Sequence, residues 1–141
     1  MNAALLCALF CTVALLVVTA YFIMGSVPLL TLKHDTPMDS RFVRGFFNVD
    51  YGAAMVTAGA TALSYAFAGR LPIAAGAAVL AVLAFFLRRT VIPRMDSLGA
   101  QIQQAGQEAI PDFRRVHATA IVLNVAQLAV IVWSLMGYSA P

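Results

Sequence analysis

Residues 3–32, AALLCALFCTVALLVVTAYFIMGSVPLLTL, carry no charge, and the first one arrives at Lys33. A helix needs about 20 mostly apolar residues to cross about 30 Å of hydrocarbon. This stretch exceeds that length and must tilt or ride into the interface beside Pro28. It has no Lys or Arg before its apolar run, which is far longer than the roughly 7–15 residues of a secretory signal core, so it reads as a retained span. Continuous alanine and leucine lack the alternation of a membrane barrel. In lipid, helix is then the way to pair every backbone group.

Outward from this stretch, residues 49–68, 72–89 and 113–138 supply three more spans. Gly69-Arg70-Leu71-Pro72 reads as a tight turn. Arg88-Arg89 ends the third span as a snorkelling pair, and Pro111 suits the first turn of the helix leading into the fourth. The composition agrees, with 62% hydrophobic and 11% charged residues, where soluble domains average about 45–50% and about 25%. Disorder, coiled coil and disulfide scaffold are excluded. The expected fold is all-α, a single integral membrane four-helix bundle over residues 1–141.

Between spans three and four, Met95, Leu98, Ile102, Ala105 and Ala109 recur at helical spacing among Gln101, Gln103, Gln104 and Glu108. That pattern predicts a short amphipathic cytoplasmic helix. It either lies on the membrane surface or extends the third span beyond a kink at Pro93. Gly106 and Pro111 separate it from the fourth span. Residues 33–41 read as a polar, turn-rich loop.

Eight of the nine basic residues, Lys33, Arg41, Arg44, Arg88, Arg89, Arg94, Arg114 and Arg115, fall on one side of a four-span chain. Only Arg70 lies opposite. Positive loops stay in the cytoplasm, so the expected location is a bacterial inner membrane with both termini outside. The net charge of +3 therefore reports topology and gives no sign of nucleic acid binding. The arginine pairs suit anionic lipid headgroups.

Ala54, Ala58, Ala62 and Ala66 on the second span, and Ala74, Ala77, Ala81 and Ala84 on the third, form ridges of small residues. Such ridges let membrane helices approach closely. The candidate binding residues are polar groups inside the spans. Asp50, Thr57 and Thr61 lie on the second, and His117, Asn124 and Gln127 on the fourth. Polar groups in lipid turn to the bundle interior, where they act as interhelical glue or line a ligand site. Asn124 and Gln127 are expected to bond Thr57, Thr61 or Thr19, with His117 near Asp50 or Arg88. A charged mouth of Asp50, Arg88, Arg114 and His117 is the functional reading of that end.

His34 and His117 fall on the same side, but neither has a partner at metal-ligand spacing. No metal and no cofactor is predicted, and haem on the two histidines is the minor alternative. Cys7 and Cys11 share one helix face, which makes a disulfide between them implausible. No phosphate loop, nucleophile elbow or zincin helix occurs.

Three short segments carry a resemblance. They are Val91-Ile92-Pro93-Arg94-Met95-Asp96, Phe113-Arg114-Arg115-Val116-His117, and Asn124-Val125-Ala126-Gln127-Leu128. With Arg44-Gly45-Phe46-Phe47, they resemble small four-span bacterial membrane proteins of unknown function. A weaker similarity links them to anthrone-oxygenase-like membrane proteins, which oxidise polycyclic aromatic phenols. If activity follows that second resemblance, it falls on His117, Asn124 and Arg94.

Sequence thus favours a non-enzymatic bundle that binds or helps move a small hydrophobic molecule or lipid. Its partners would be membrane lipid, a hydrophobic ligand and a homo-oligomer or larger membrane complex. The alternatives are an oxygenase-type membrane enzyme acting on an apolar aromatic substrate, and an accessory subunit.

Overall fold

Two signals in the sequence set where the second helix starts. Thr36 has extended backbone and its hydroxyl accepts from the Asp39 amide at 3.2 Å, and Pro37 fills the first helical position. Capping threonine followed by proline is a strong helix start. The structure, a computed structural model, describes residues 3–105 and 107–139. Among them the chain forms α1 (Ala3–Leu29), α2 (Pro37–Phe67), α3 (Leu71–Ala105), a single 3-10 turn (Gln107–Ala109) and α4 (Ile110–Ser139). Helix α2 therefore begins at residue 37 rather than 49, and the polar loop shrinks to a few residues around His34.

Helices α1, α3 and α4 are long and apolar enough to cross a membrane. Helix α2 is less apolar because its first half carries Asp39, Arg41, Arg44 and Asp50. Neighbours in the bundle are α1–α2, α2–α3, α3–α4 and α4–α1, while among the described residues the diagonal pairs make no backbone contact. The helices alternate in direction. Cys7 and Thr12 at the start of α1 meet Ser64 and Tyr65 at the end of α2. Arg44 near the start of α2 meets Asp96 near the end of α3.

The amphipathic segment takes the second of its two expected forms, an extension of the third span, and among the described residues no separate amphipathic helix lies between α3 and α4. Helix α3 runs unbroken through Arg88-Arg89 and Pro93 to Ala105. Its 35 residues measure about 52 Å at 1.5 Å per residue, well beyond about 30 Å of hydrocarbon. The apolar stripe of Met95, Leu98 and Ile102 does not lie on lipid. It packs into one core with Val43, Phe47 and Tyr51 of α2 and Phe113, Ala120 and Ile121 of α4. A proline removes one helical hydrogen bond, and burial of this stripe more than offsets it. Gly106 and the Ala105 side chain, both assigned roles from sequence, lie outside the described residues.

Two smaller clusters complete the interior. Leu15, Ala58 and Ile131 meet at mid-bundle, and Ala8, Tyr65 and Ala74 close the far end near the α2–α3 turn. Leu80 and Ala81 of α3 pack against the same mid-bundle cluster, so Ala58 meets three helices, and Ala66 is exposed. Ala74, Ala77 and Ala84 are buried. Large apolar side chains such as Phe10, Met24, Val56, Phe67, Phe86 and Trp133 are exposed on all four helices. Water would not tolerate so much apolar surface, whereas hydrocarbon favours it.

Candidate functional site

Two interior regions, one at each end of the bundle, present polar groups. The first is built around the α1–α2 connection. His34 adopts a positive φ of 60°, a left-handed conformation that non-glycine residues use sparingly. This turn carries its ring inward, where it is fully buried. It packs on Phe113 with ring centroids 5.3 Å apart and on His117 at 5.8 Å. His117, one helical turn beyond Phe113 on α4, is equally buried and rests on Phe47 of α2 at 5.2 Å. Its Nε2 is 3.2 Å from the Ser26 carbonyl oxygen. A carbonyl only accepts, so Nε2 carries the proton there.

Burial leaves polar atoms of this group without hydrogen bonds of good geometry. They are both ring nitrogens of His34, Nδ1 of His117 and the hydroxyl of Tyr51. Leu32 is placed for its backbone oxygen to favour a protonated His34 ring, at looser geometry than a formed bond. Even so, burial dominates and pushes His34 below its ordinary value near 6.5. The Arg114 cation acts in the same sense, and Asp39 and Asp35 oppose it. The Arg114 guanidinium is held by the Leu32 carbonyl at 3.2 Å.

Deeper in the bundle, Asn124 donates through Nδ2 to Asp50 Oδ2 at 2.5 Å, across the α2–α4 diagonal. Asp50 and Asn124 are both buried, as is Gln127 on the same face of α4. The expected threonine partners are engaged elsewhere. Thr57 donates to Ala53, Thr61 to Thr57 and Thr19 to Leu15, each at 2.8 Å on its own helix. The expected charged mouth is also divided. Arg88 donates to Asn48 at 3.0 Å. His117 meets His34 and Phe47, and Asp50 has Asn124. Arg94 is exposed on α3, so it does not join His117 and Asn124 in one site.

The second region is a cavity of about 770 Å³ at the α2–α3 turn end. All four helices line it, through residues that include Leu15, Thr61, Tyr65, Ile73, Leu80 and Ile131. On the α3 side it is lined by the small residues Gly76 and Ala77. A Cβ built on Gly76 meets nothing within 4 Å. Thr12 donates to the Ala8 carbonyl at 2.8 Å, and its oxygen is 3.3 Å from Tyr65 Oη. Arg70, Pro72 and Ser134, all exposed, stand at its rim. Of the candidate binding residues only Thr61 lines this space.

No family model, curated protein or solved structure matches the chain. Function must therefore be argued from the two regions themselves. Sequence reasoning set His34 aside as a loop residue without a partner at metal-ligand spacing, because the ring it meets lies 83 residues away on α4. It missed the cavity, since a void between helices is written in side-chain volumes rather than in motifs.

Proposed function

We propose that this protein is a four-span bundle of the bacterial inner membrane that binds a small, largely apolar molecule or lipid chain in the cavity at its α2–α3 end. The cavity carries this reading. Its volume of about 770 Å³ falls in the roughly 300–1,000 Å³ range of small-molecule sites, and apolar walls with a few polar groups are their usual lining. Thr12 and Thr61 have spent their hydroxyl protons on their own helices. What they offer a guest is oxygen lone pairs. These lone pairs suit an apolar molecule whose polar end donates, such as an alcohol or phenol.

A fourth span at α2 is supported by a stripe of exposed apolar residues, Val49, Val56, Leu63 and Phe67. These lie on one helix face, as a lipid-facing helix requires. The basic residues gathered at the opposite end from Arg70 support cytoplasmic loops and external termini. The resemblance to small four-span bacterial membrane proteins agrees with this layout.

Binding is testable with 1-aminoanthracene, an apolar fluorescent amine, added to detergent-solubilised protein. Saturable fluorescence, displaced by long-chain alcohols, is expected for the natural sequence. Gly76→Leu adds bulk to the lining where an added Cβ meets nothing within 4 Å, and it should weaken binding at least tenfold while leaving the melting temperature unchanged or higher. Equal binding by both proteins would remove the cavity as the site.

A further inference from the structure

We propose that the guest of the cavity is a single-chain anionic phospholipid, with its acyl chain between the helices, its glycerol hydroxyl on the threonines and its phosphate on Arg70 at the rim. This rests on the cavity being the binding site and names what fills it. The polar groups there divide into acceptors inside and a cation at the mouth. Thr12 and Thr61 give their hydroxyl protons to Ala8 and Thr57 on their own helices, and Ser134 gives its proton to Val130 at 2.8 Å. With the Thr12 proton so placed, the tyrosine is the donor in the 3.3 Å contact between Thr12 and Tyr65. These hydroxyls therefore present lone pairs. The charged donor at the rim is Arg70, whose guanidinium carries five N–H groups.

The fold fixes Arg70 at that place. Gly69, with a φ of 72°, turns the chain between α2 and α3. The Arg70 amide then donates to the Tyr65 carbonyl at 2.9 Å, and its own carbonyl accepts from the Ala74 amide at 3.0 Å. Tyr65 lines the cavity as well, so the guanidinium springs from backbone tied to the cavity wall. The other charged side chains, Asp50 included, lie toward the middle or the opposite end of the bundle. The mouth thus suits an anion, and a guanidinium binds phosphate through two parallel hydrogen bonds.

Volume sets the number of chains. A chain carbon fills about as much space as a water molecule in the liquid, roughly 30 Å³. A chain of about 16 carbons then needs about 480 Å³, and two such chains need about 960 Å³. The cavity of about 770 Å³ takes one chain, with room for a glycerol, and cannot take two. An ionised fatty acid has one chain and a charge but no proton to give the threonines. A lysophospholipid keeps a free glycerol hydroxyl beside its phosphate and meets all three requirements.

Native mass spectrometry of the full chain, released from a neutral detergent, ranks lipids offered in an equimolar mixture. The probes are palmitoyl lysophosphatidylglycerol, monopalmitoylglycerol, palmitate and dipalmitoyl phosphatidylglycerol. One lysophosphatidylglycerol per chain is expected, about tenfold or more ahead of the other three. Arg70→Gln should bring it level with monopalmitoylglycerol. Arg70→Lys keeps the charge and should retain a preference, which separates a lost head contact from a disturbed turn. Gly76→Leu should weaken both single-chain glycerolipids. Level binding of any of the other three probes by the natural sequence, a preference that survives Arg70→Gln, or its complete loss in Arg70→Lys would overturn the anionic guest and leave the cavity as a site. No bound lipid at all, or binding unchanged by Gly76→Leu, would remove the cavity itself.

Discussion

Asp50 is a carboxylate buried at 3% exposure, paired across the bundle with Asn124. A buried polar group is tolerable only while its partner is present. Asn124→Leu fits the space but leaves Asp50 Oδ2 without its donor, so it should cost about 1–3 kcal/mol of stability. Adding Asp50→Leu should recover most of that loss, because an apolar pair needs no partner. Chemical or thermal unfolding in detergent of the two variants reads both effects, and an unaffected Asn124→Leu would show that the bond is idle. His34 makes a second prediction. Its value is lowered in the fold, mainly by burial, so the unfolded chain binds more protons than the folded one as pH falls. Its contribution to stability is full above about pH 6.5 and declines below it. The melting temperature should drop between pH 7.5 and 5.5, and His34→Phe should flatten that slope.

At the scale of elements, α2 brings the Phe46 ring close onto α1 at Gly25. A Cβ there would lie 2.6 Å from Phe46 Cζ. Phe46 cannot swing away freely, because Phe22 meets it edge-to-face at 5.0 Å and Phe47 flanks it at 6.1 Å. Gly25→Ala should therefore cost about 1–3 kcal/mol by overpacking, and Phe46→Leu in the same chain should relieve it. Unfolding midpoints of the single and double variants check this. The same elements show what sequence could tell. The charge-free run of α1 and the apolar runs of α3 and α4 are properties of consecutive residues, and they were legible. Thr36-Pro37 carries a helix-start signal, but the polar, turn-rich composition of residues 33–41 reads as a loop and hides it. The period of Met95, Leu98 and Ile102 identified a helix with one apolar face. It did not identify what that face covers, because Val43 and Phe47 lie more than 45 residues away in sequence. The inward turn of Asn124 followed from the cost of amides in lipid, whereas its partner Asp50 did not, since three threonines bond their own helices instead.

For the whole molecule, the decisive feature is that one end outgrows a bilayer. The first half of α2 and the last half of α3 pack as an antiparallel pair, tied by the Arg44–Asp96 ion pair at 2.8 Å and by Arg88 on Asn48. The ion pair is about half exposed and contributes little by itself. The buried core of Phe47, Met95 and Phe113 does most of the holding. This extension carries charged surface that suits water, and in the proposed topology its arginines place it on the cytoplasmic side. Leu71 at the opposite turn and Met38 on the extension are both well exposed, at 67% and 78%. In a chain lacking Cys7 and Cys11, Leu71→Cys should react with an impermeant maleimide in intact cells, and Met38→Cys should react only after the membrane is opened. Ser40 would be a poor probe, because its side chain is buried against Gly99. Labelling of Met38→Cys alone in intact cells would invert the orientation, and labelling of both would mean that α2 does not cross the membrane. The cavity would then face the opposite compartment, or lie beside a helix that water reaches, and the apolar guest proposed for it would lose its route from the bilayer.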